Sequence, residues 1–260
     1  MKVKEIHELD YELWRKIIKL YIDDPLKHVY LLYDIIYELD HTDIYFTLDI
    51  DNEIKGYLLI WKAQRVYGIH IWGKAEELIS FIPHGSKAII QVYNRNLLNL
   101  IMNHLSNKNV KIKEYLDMAV DEYSFKPYML EKARRLSEND LRAFLNLKSV
   151  QGISLDVETC KELINKWRYY GVFVNNQLVS IACAYVRMPR VWVIGDVFTH
   201  PNYRGRGYAK IVTSAITRDA IISSAKALLH VERNNIPAIK VYKSIGYKVI
   251  NTKPWVIINQ

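Results

Sequence analysis

Two segments of the chain carry residue types at spacings that chemistry can use. The first is Ile194-Gly-Asp-Val-Phe-Thr-His-Pro-Asn-Tyr-Arg-Gly-Arg-Gly-Tyr-Ala-Lys210. It reads as a buried strand, a turn at residues 200–203 and a helix starting at Arg204. The first turn of a helix presents N–H groups that lack intrahelical partners, with the positive end of the helix dipole behind them. Gly205 and Gly207 remove the Cβ atoms that would hold a ligand off, and Arg204 and Arg206 add positive charge there. The chemistry is anion binding, and a pyrophosphate fits it. Taken alone, the same residues also read as a tight strand-to-helix turn that needs small side chains.

The second segment is Leu228-Leu-His-Val-Glu-Arg-Asn-Asn-Ile-Pro-Ala-Ile-Lys-Val-Tyr-Lys-Ser-Ile-Gly-Tyr247. A strand leads to Asn235, and a helix then carries Ala238 and Tyr242. Asn235 and Tyr242 are seven positions apart, share a helix face and can look into one cleft. Gly246 stands where a left-handed residue ends a helix. Read separately, Asn235 is a helix cap and Tyr242 a packing residue.

These segments need a frame to hold them. A chain of 260 residues supplies one large domain or two small ones. Half the residues are apolar and a quarter are charged, which excludes a disordered chain, a fibre and a disulfide scaffold. The longest uncharged run, Tyr169 to Val186, is interrupted by Asn175, Asn176 and Gln177, so it reads as two strands and a turn and not a membrane span. The N-terminus shows no signal peptide, and the expected location is cytoplasmic. Cys160 and Cys183 read as buried structural thiols, and no pair of histidines has metal-ligand spacing, so no metal is expected. Residues 1–125 hold 15 Lys/Arg against 19 Asp/Glu, net −4; residues 126–260 hold 21 against 9, net +12. The second half is therefore built to meet something anionic.

Helices are expected over the first forty residues, with Pro25 between them and the second starting at Val29. Strands follow at Ile44–Ile50, Lys55–Ala63 and Val66–Trp72, then a helix at Lys74–Ile82, a strand at Lys87–Tyr93 and a helix at Asn96–Leu105. The pattern restarts near Ser124–Pro127, which places domains at 1–125 and 126–260. Ser137 with Asp140 resembles a capping box, and Asp156 or a neighbour opens the next helix, ending near Trp167. Strands Tyr170–Val174, Leu178–Arg187 and Val191–Thr199 precede the amphipathic helix from Arg204 to Ile222. A strand at Ala227–Val231, a helix at Ile236–Ile245 and two terminal strands finish the chain. Ile89 to Asn96 echoes Leu228 to Asn235 at a constant offset of 139, which favours an internal duplication.

Together the two motifs resemble the GNAT superfamily of N-acetyltransferases. Its Arg/Gln-x-x-Gly-x-Gly/Ala signature stands here as Arg204, Gly207 and Ala209; its Asn-x-x-Ala-x-x-x-Tyr stands as Asn235, Ala238 and Tyr242, followed by Gly246-Tyr247. The resemblance covers about residues 126–260 and looks most like the glycine N-acyltransferase-like group, with a degenerate GNAT-like domain in front. It implies an α/β (α+β) chain of tandem GNAT folds, each a mixed, mostly antiparallel twisted sheet flanked by helices. It also implies acetyl transfer from acetyl-CoA, the cosubstrate, to a small-molecule or peptide amine by direct attack. The backbone of Val197, Phe198 and Thr199 would address the pantetheine arm and thioester. The run Arg204, Gly205, Arg206, Gly207, Tyr208, Ala209, Lys210 would hold the pyrophosphate, and Asn235 the pantetheine. Tyr242 would give a proton to the departing thiolate, with a loss of about 10²-fold expected for its removal.

Departures from the family pattern bear on the base. Where ribosomal-protein acetyltransferases carry a Glu directly before the strand Val, this chain has His230, and Val191–Ile194 holds no acid. His230 is the best-placed base, with Asp196 and Glu232 in reserve. In the first half Gly73-Lys-Ala-Glu-Glu77 puts two carboxylates where a phosphate would sit, so CoA binding there is expected to be lost. The alternative reading is a non-catalytic CoA or acetyl-CoA sensor or interaction protein. Neither a nucleic-acid nor a membrane partner is expected. For the acceptor pocket, Tyr169, Tyr170, Trp192 and Trp255 are the aromatic candidates.

Overall fold

Aspartates open the first two helices. Asp10 accepts from the Leu13 N–H at 2.9 Å and caps α1 (Tyr11–Asp23). Asp24 caps α2 (Pro25–Tyr37), whose first residue is Pro25. Proline lacks only an N–H that the helix start leaves unpaired anyway, so it begins α2 four residues before the expected start at Val29. The computed structural model describes every residue except 9, 63–65, 106–108 and 260. The expected end of a strand at Ala63 therefore lies outside the described residues.

The chain divides into two compact units, residues 1–116 with 251–260 and residues 117–250. Unit 1 contains β1 (Lys2–Glu5), α1, α2, β2 (Thr42–Leu48), β3 (Ile54–Trp61), β4 (Tyr67–Gly73), β5 (Ala88–Val92), α3 (Leu98–His104) and the first part of β6 (Asn109–Val120). Strands β1 to β4 pair antiparallel, and β4 pairs parallel with β5. Leu58, Ile60, Ile69, Ile71, Ile90 and Val92 alternate onto one face and bury themselves against Leu78, Leu97 and Ile101. The expected helix at Lys74–Ile82 is a 3-10 helix over Glu76–Phe81, and β1 and β6 were not legible in the sequence.

Unit 2 contains the end of β6, then β7 (Arg134–Arg135), α4 (Leu141–Val150), α5 (Val157–Lys166), β8 (Arg168–Val174), β9 (Gln177–Arg187), β10 (Val191–Thr199), α6 (Tyr208–Ile222), β11 (Lys226–Glu232), α7 (Ile236–Ile245) and the start of β12 (Lys248–Asn259). The strand order is β6-β11-β10-β9-β8-β7. Strands β7 to β10 pair antiparallel, and β10 pairs parallel with β11. The capping box is present, with the Ser137 N–H donating to Asp140 at 3.0 Å, and Asp156 caps α5 through the Thr159 N–H. Asn175 and Asn176, at φ 48° and 63°, make the two-residue hairpin turn between β8 and β9. In chain order both units run strand, two helices, three antiparallel strands, crossover, parallel strand, helix, strand. The echo of 139 residues is thus part of a repeated topology.

The boundary differs from the expected 125/126. It falls at Leu116/Asp117, and residues 251–260 return to unit 1. The reason is pairing: Trp255 to Ile258 lie antiparallel to Gln91 to Ala88, and Val256 and Ile258 enter the unit 1 core. The two terminal strands expected there are one strand of 12 residues.

Candidate active site

The start of α6 is built by two glycines. Gly205 and Gly207 hold φ of +76° and +83°, values that a residue with a Cβ rarely adopts. They turn residues 204–207 into a loop, so the helix begins at Tyr208 and not at the expected Arg204. Gly207 is the N-cap, and its position leaves the helix without a side-chain cap. Among the described residues, no acceptor meets the backbone N–H of any residue from Gly205 to Lys210. Six successive amides at this turn are therefore left without a protein acceptor, and nothing within 4 Å would crowd a Cβ at Gly205. Tyr128 borders the loop, with Lys210 Nζ 4.1 Å above its ring. Arg206 lies over the Tyr203 ring at 5.5 Å, and Arg204 Nε donates to the Thr199 carbonyl at 3.3 Å. Such a cradle fits a phosphate group.

Asp196 and Val197 leave the regular β9–β10 ladder, which Phe198 and Thr199 rejoin opposite Ile181 and Ser180. The β9–β10 register shifts between Gly195 and Phe198, and Asp196 sits in this bulge at φ 49°. Pairing of β10 with β11 runs from Val191–Lys226 to Ile194–Leu229 and stops. Beyond that point Val197–Thr199 and His230–Glu232 are not paired with each other. Ser180 Oγ fastens the far end of β10, donating to the Phe198 carbonyl at 3.0 Å and touching Thr199 Oγ1 at 2.8 Å.

His230 is a buried imidazole whose Nδ1 lies 2.6 Å from Asp117 Oδ1. With Asp117 ionised, Nδ1 carries the proton and donates it, which makes Nε2 the basic nitrogen. Asp117 is 113 residues from its partner, and nothing local in the sequence marks it. Asn235 accepts from the Ala238 N–H at 3.3 Å as the N-cap of α7. Tyr242 lies seven positions on, buried to 7 % exposure, and its hydroxyl meets no partner among the described residues. Burial alone pushes its phenol up to about 12.

Asp196 is not available as a base. Its carboxylate accepts from Lys148 Nζ, from Gln151 Nε2 at 3.0 Å and from the Tyr169 hydroxyl at 2.7 Å. Cys160 and Cys183 are buried free thiols, both with pKa raised by burial. The four aromatic pocket candidates have their own local partners, with Tyr170 and Trp192 linked through Asp219 and Arg168. Tyr169 belongs to the Asp196 cluster, Tyr170 donates to Asp219, Trp192 lies under Arg168 and Arg187, and Trp255 stacks on Tyr115 in unit 1. Each is spent on local packing.

In unit 1 the place equivalent to the cradle is closed. The Lys74 N–H donates to the Lys55 carbonyl at 2.9 Å, and a Cβ at Gly73 would lie 2.0 Å from that same oxygen. The helix that follows has only six residues and starts with Glu76 and Glu77. The helix expected to start at Asn96 starts at Leu98, after a 3-10 turn over Arg95–Leu97 that Asn94 caps by accepting from the Asn96 N–H at 3.1 Å. Among the described residues no cluster of His, Cys, Asp or Glu is arranged to hold a metal, and no helix is long and apolar enough to cross a membrane.

Comparison with known proteins agrees with this architecture. Residues 169–256 match the family model described as FR47-like protein. No curated protein sequence matches the chain. Among solved structures, a Drosophila protein covers 99 % of this chain and 98 % of its own at 12 % identity and TM-score 0.76. An acetyltransferase of the GNAT family from Colwellia psychrerythraea covers 100 % of both chains at 15 % identity and TM-score 0.60. A tandem GNAT protein from the clavulanic acid biosynthesis pathway covers 99 % and 98 % at 10 % identity and TM-score 0.63. The chain thus has a tandem GNAT fold, mixed α/β in each unit, and the FR47-like match begins in the second unit and ends in the last strand.

Proposed function

We propose that the protein is an acetyl-CoA-dependent N-acetyltransferase whose cosubstrate binds unit 2. The observation that carries this is the run of six backbone donors from Gly205 to Lys210 at the end of a bulged strand. Acetyl-CoA supplies an activated acetyl group and a pyrophosphate that such a run holds. Arg204, Arg206 and Lys210 add charge to the cradle, in keeping with the net +12 of residues 126–260. The backbone of Val197, Phe198 and Thr199 orients the thioester, and Asn235 contacts the pantetheine arm. Rate then comes from positioning and from hydrogen bonds to developing charge.

Two side chains manage protons. His230 takes one from the incoming ammonium through Nε2, with Asp117 fixing its tautomer. Tyr242 addresses the leaving sulfur. A phenol near 12 does not yield its proton to a thiolate of pKa about 8–9, so Tyr242 acts by donating a hydrogen bond. Unit 1 does not bind CoA, since its equivalent amide is spent and its short helix opens on two carboxylates.

The test is thiol release from acetyl-CoA against amino acids, polyamines, aminoglycosides and peptide N-termini, with CoA binding measured by calorimetry. Binding at one site with thiol release on one acceptor class is expected. CoA binding without release on any amine would leave the sensor reading, and no CoA binding would end both.

A further inference from the structure

Asp196 occupies a conformation that its side chain alone does not favour. A non-glycine residue at φ 49° inside a strand persists only where its surroundings hold it. Those surroundings come from α4 and β8. Lys148 and Gln151, at the C-terminal end of α4, both donate to Asp196, and Lys148 Nζ also donates to Gln151 Oε1 at 3.1 Å. The Tyr169 hydroxyl adds a third donor from β8. Tyr169 pairs in register with Cys183, and Cys183 with Gly195, so the cluster sits on the residue row beside the bulge.

The Lys148 side chain is 5 % exposed and that of Asp196 15 %. A lysine so buried is an expensive way to fill space, because desolvation offsets most of the attraction in such a pair. A leucine or methionine would pack α4 on the sheet without that cost. What an ion pair with two further donors supplies, and an apolar side chain cannot, is direction: it fixes one carboxylate at one place. That carboxylate belongs to the residue directly before Val197.

We propose that Lys148 is a positioning residue for acyl transfer: through Asp196 it sets the bulge of β10 and so aims the backbone of Val197, Phe198 and Thr199. This rests on the assignment of those three residues to the thioester. The clamp joins the end of α4 to the bulge, so a shift of that helix end is transmitted to the reacting backbone and not to the phosphate cradle. It touches neither the amides of Gly205–Lys210 nor His230.

The experiment compares wild type with Lys148→Met, Lys148→Arg and Asp196→Asn in the full chain. Amide resonances of Val197, Phe198 and Thr199 are followed by NMR without ligand; CoA affinity is measured by calorimetry and kcat and KM with the acceptor that the amine screen yields. Lys148→Met is expected to displace those three resonances, keep CoA affinity within about threefold and lower kcat by about 10²-fold, the size of a misplacement of about 1 Å. Lys148→Arg, which keeps the charge, is expected to restore most of the rate. If Lys148→Met does not fold, Asp196→Asn, which tolerates positive φ and keeps the side-chain size, must show the same displacement. Unmoved resonances, or a loss that falls on CoA affinity with kcat intact, would overturn the proposal. Wild-type protein that binds no CoA would overturn the acetyltransferase assignment instead, while the ligand-free resonances still decide whether the clamp exists.

Discussion

Three residues carry separable predictions. Tyr242→Phe removes one hydrogen bond to the leaving sulfur, so kcat should fall about tenfold, short of the 10²-fold expected of a full proton donor. A loss of 10²-fold or more would return Tyr242 to proton transfer. His230→Gln should abolish the ascending limb of the pH profile of kcat/KM. An unchanged limb and rate would favour attack by an already neutral amine. His28, in α2, makes a prediction about stability. Burial lowers its imidazole from 6.5 to about 4, and its Nδ1 lies 3.2 Å from the Tyr57 hydroxyl. The unfolded chain therefore takes up a proton below about pH 6.5 that the folded chain refuses until about 4. Stability should fall over that window on acidification, by on the order of 3 kcal/mol, and urea titrations of His28→Gln should show a flatter dependence. At this scale the sequence disclosed the local geometry of Tyr242, Asn235 and the glycines, which follows from helix spacing and φ. It concealed Asp117, Lys148 and Gln151, because their partners lie in other elements and no local pattern records a tertiary hydrogen bond.

Elements were legible where a cap or a turn announced them. Ser137, Asp156, the Asn175-Asn176 turn and Gly246 each do in the fold what their chemistry predicts. The start of α6 lies four residues beyond the expected Arg204, since Gly205 and Gly207 take left-handed φ and keep the chain out of the helix until Tyr208. The correction strengthens the anion site, because a loop followed by an uncapped helix offers more donors than a helix turn alone. Gly207→Glu should then abolish CoA binding in calorimetry by adding bulk, strain and negative charge at once; unchanged affinity would remove the cradle from the cofactor site. Gly246→Ala tests the other end of the motif. At φ 111°, its new Cβ would stand 1.9 Å from the Ser124 carbonyl oxygen. Denaturant melts should show a loss of about 2–4 kcal/mol.

The plan of two similar halves is legible in the sequence, but the return of residues 251–260 to unit 1 is not, because strand exchange leaves no mark in composition. A fragment of residues 126–260 lacks Asp117, the partner of His230, and carries a last strand that belongs elsewhere. It should bind CoA less stably and turn over poorly; full activity with unchanged melting would contradict the division. Removing residues 251–260 should instead unfold unit 1, seen as dye binding to its opened core, since Val256 and Ile258 are buried there. The same strand has a consequence for synthesis. Unit 1 is translated first, yet the partner of β5 emerges from the ribosome only after the whole of unit 2 has been made. One edge of β5 must therefore wait, exposed and able to recruit other strands, while the later half is still being built. The half that is born first is completed last.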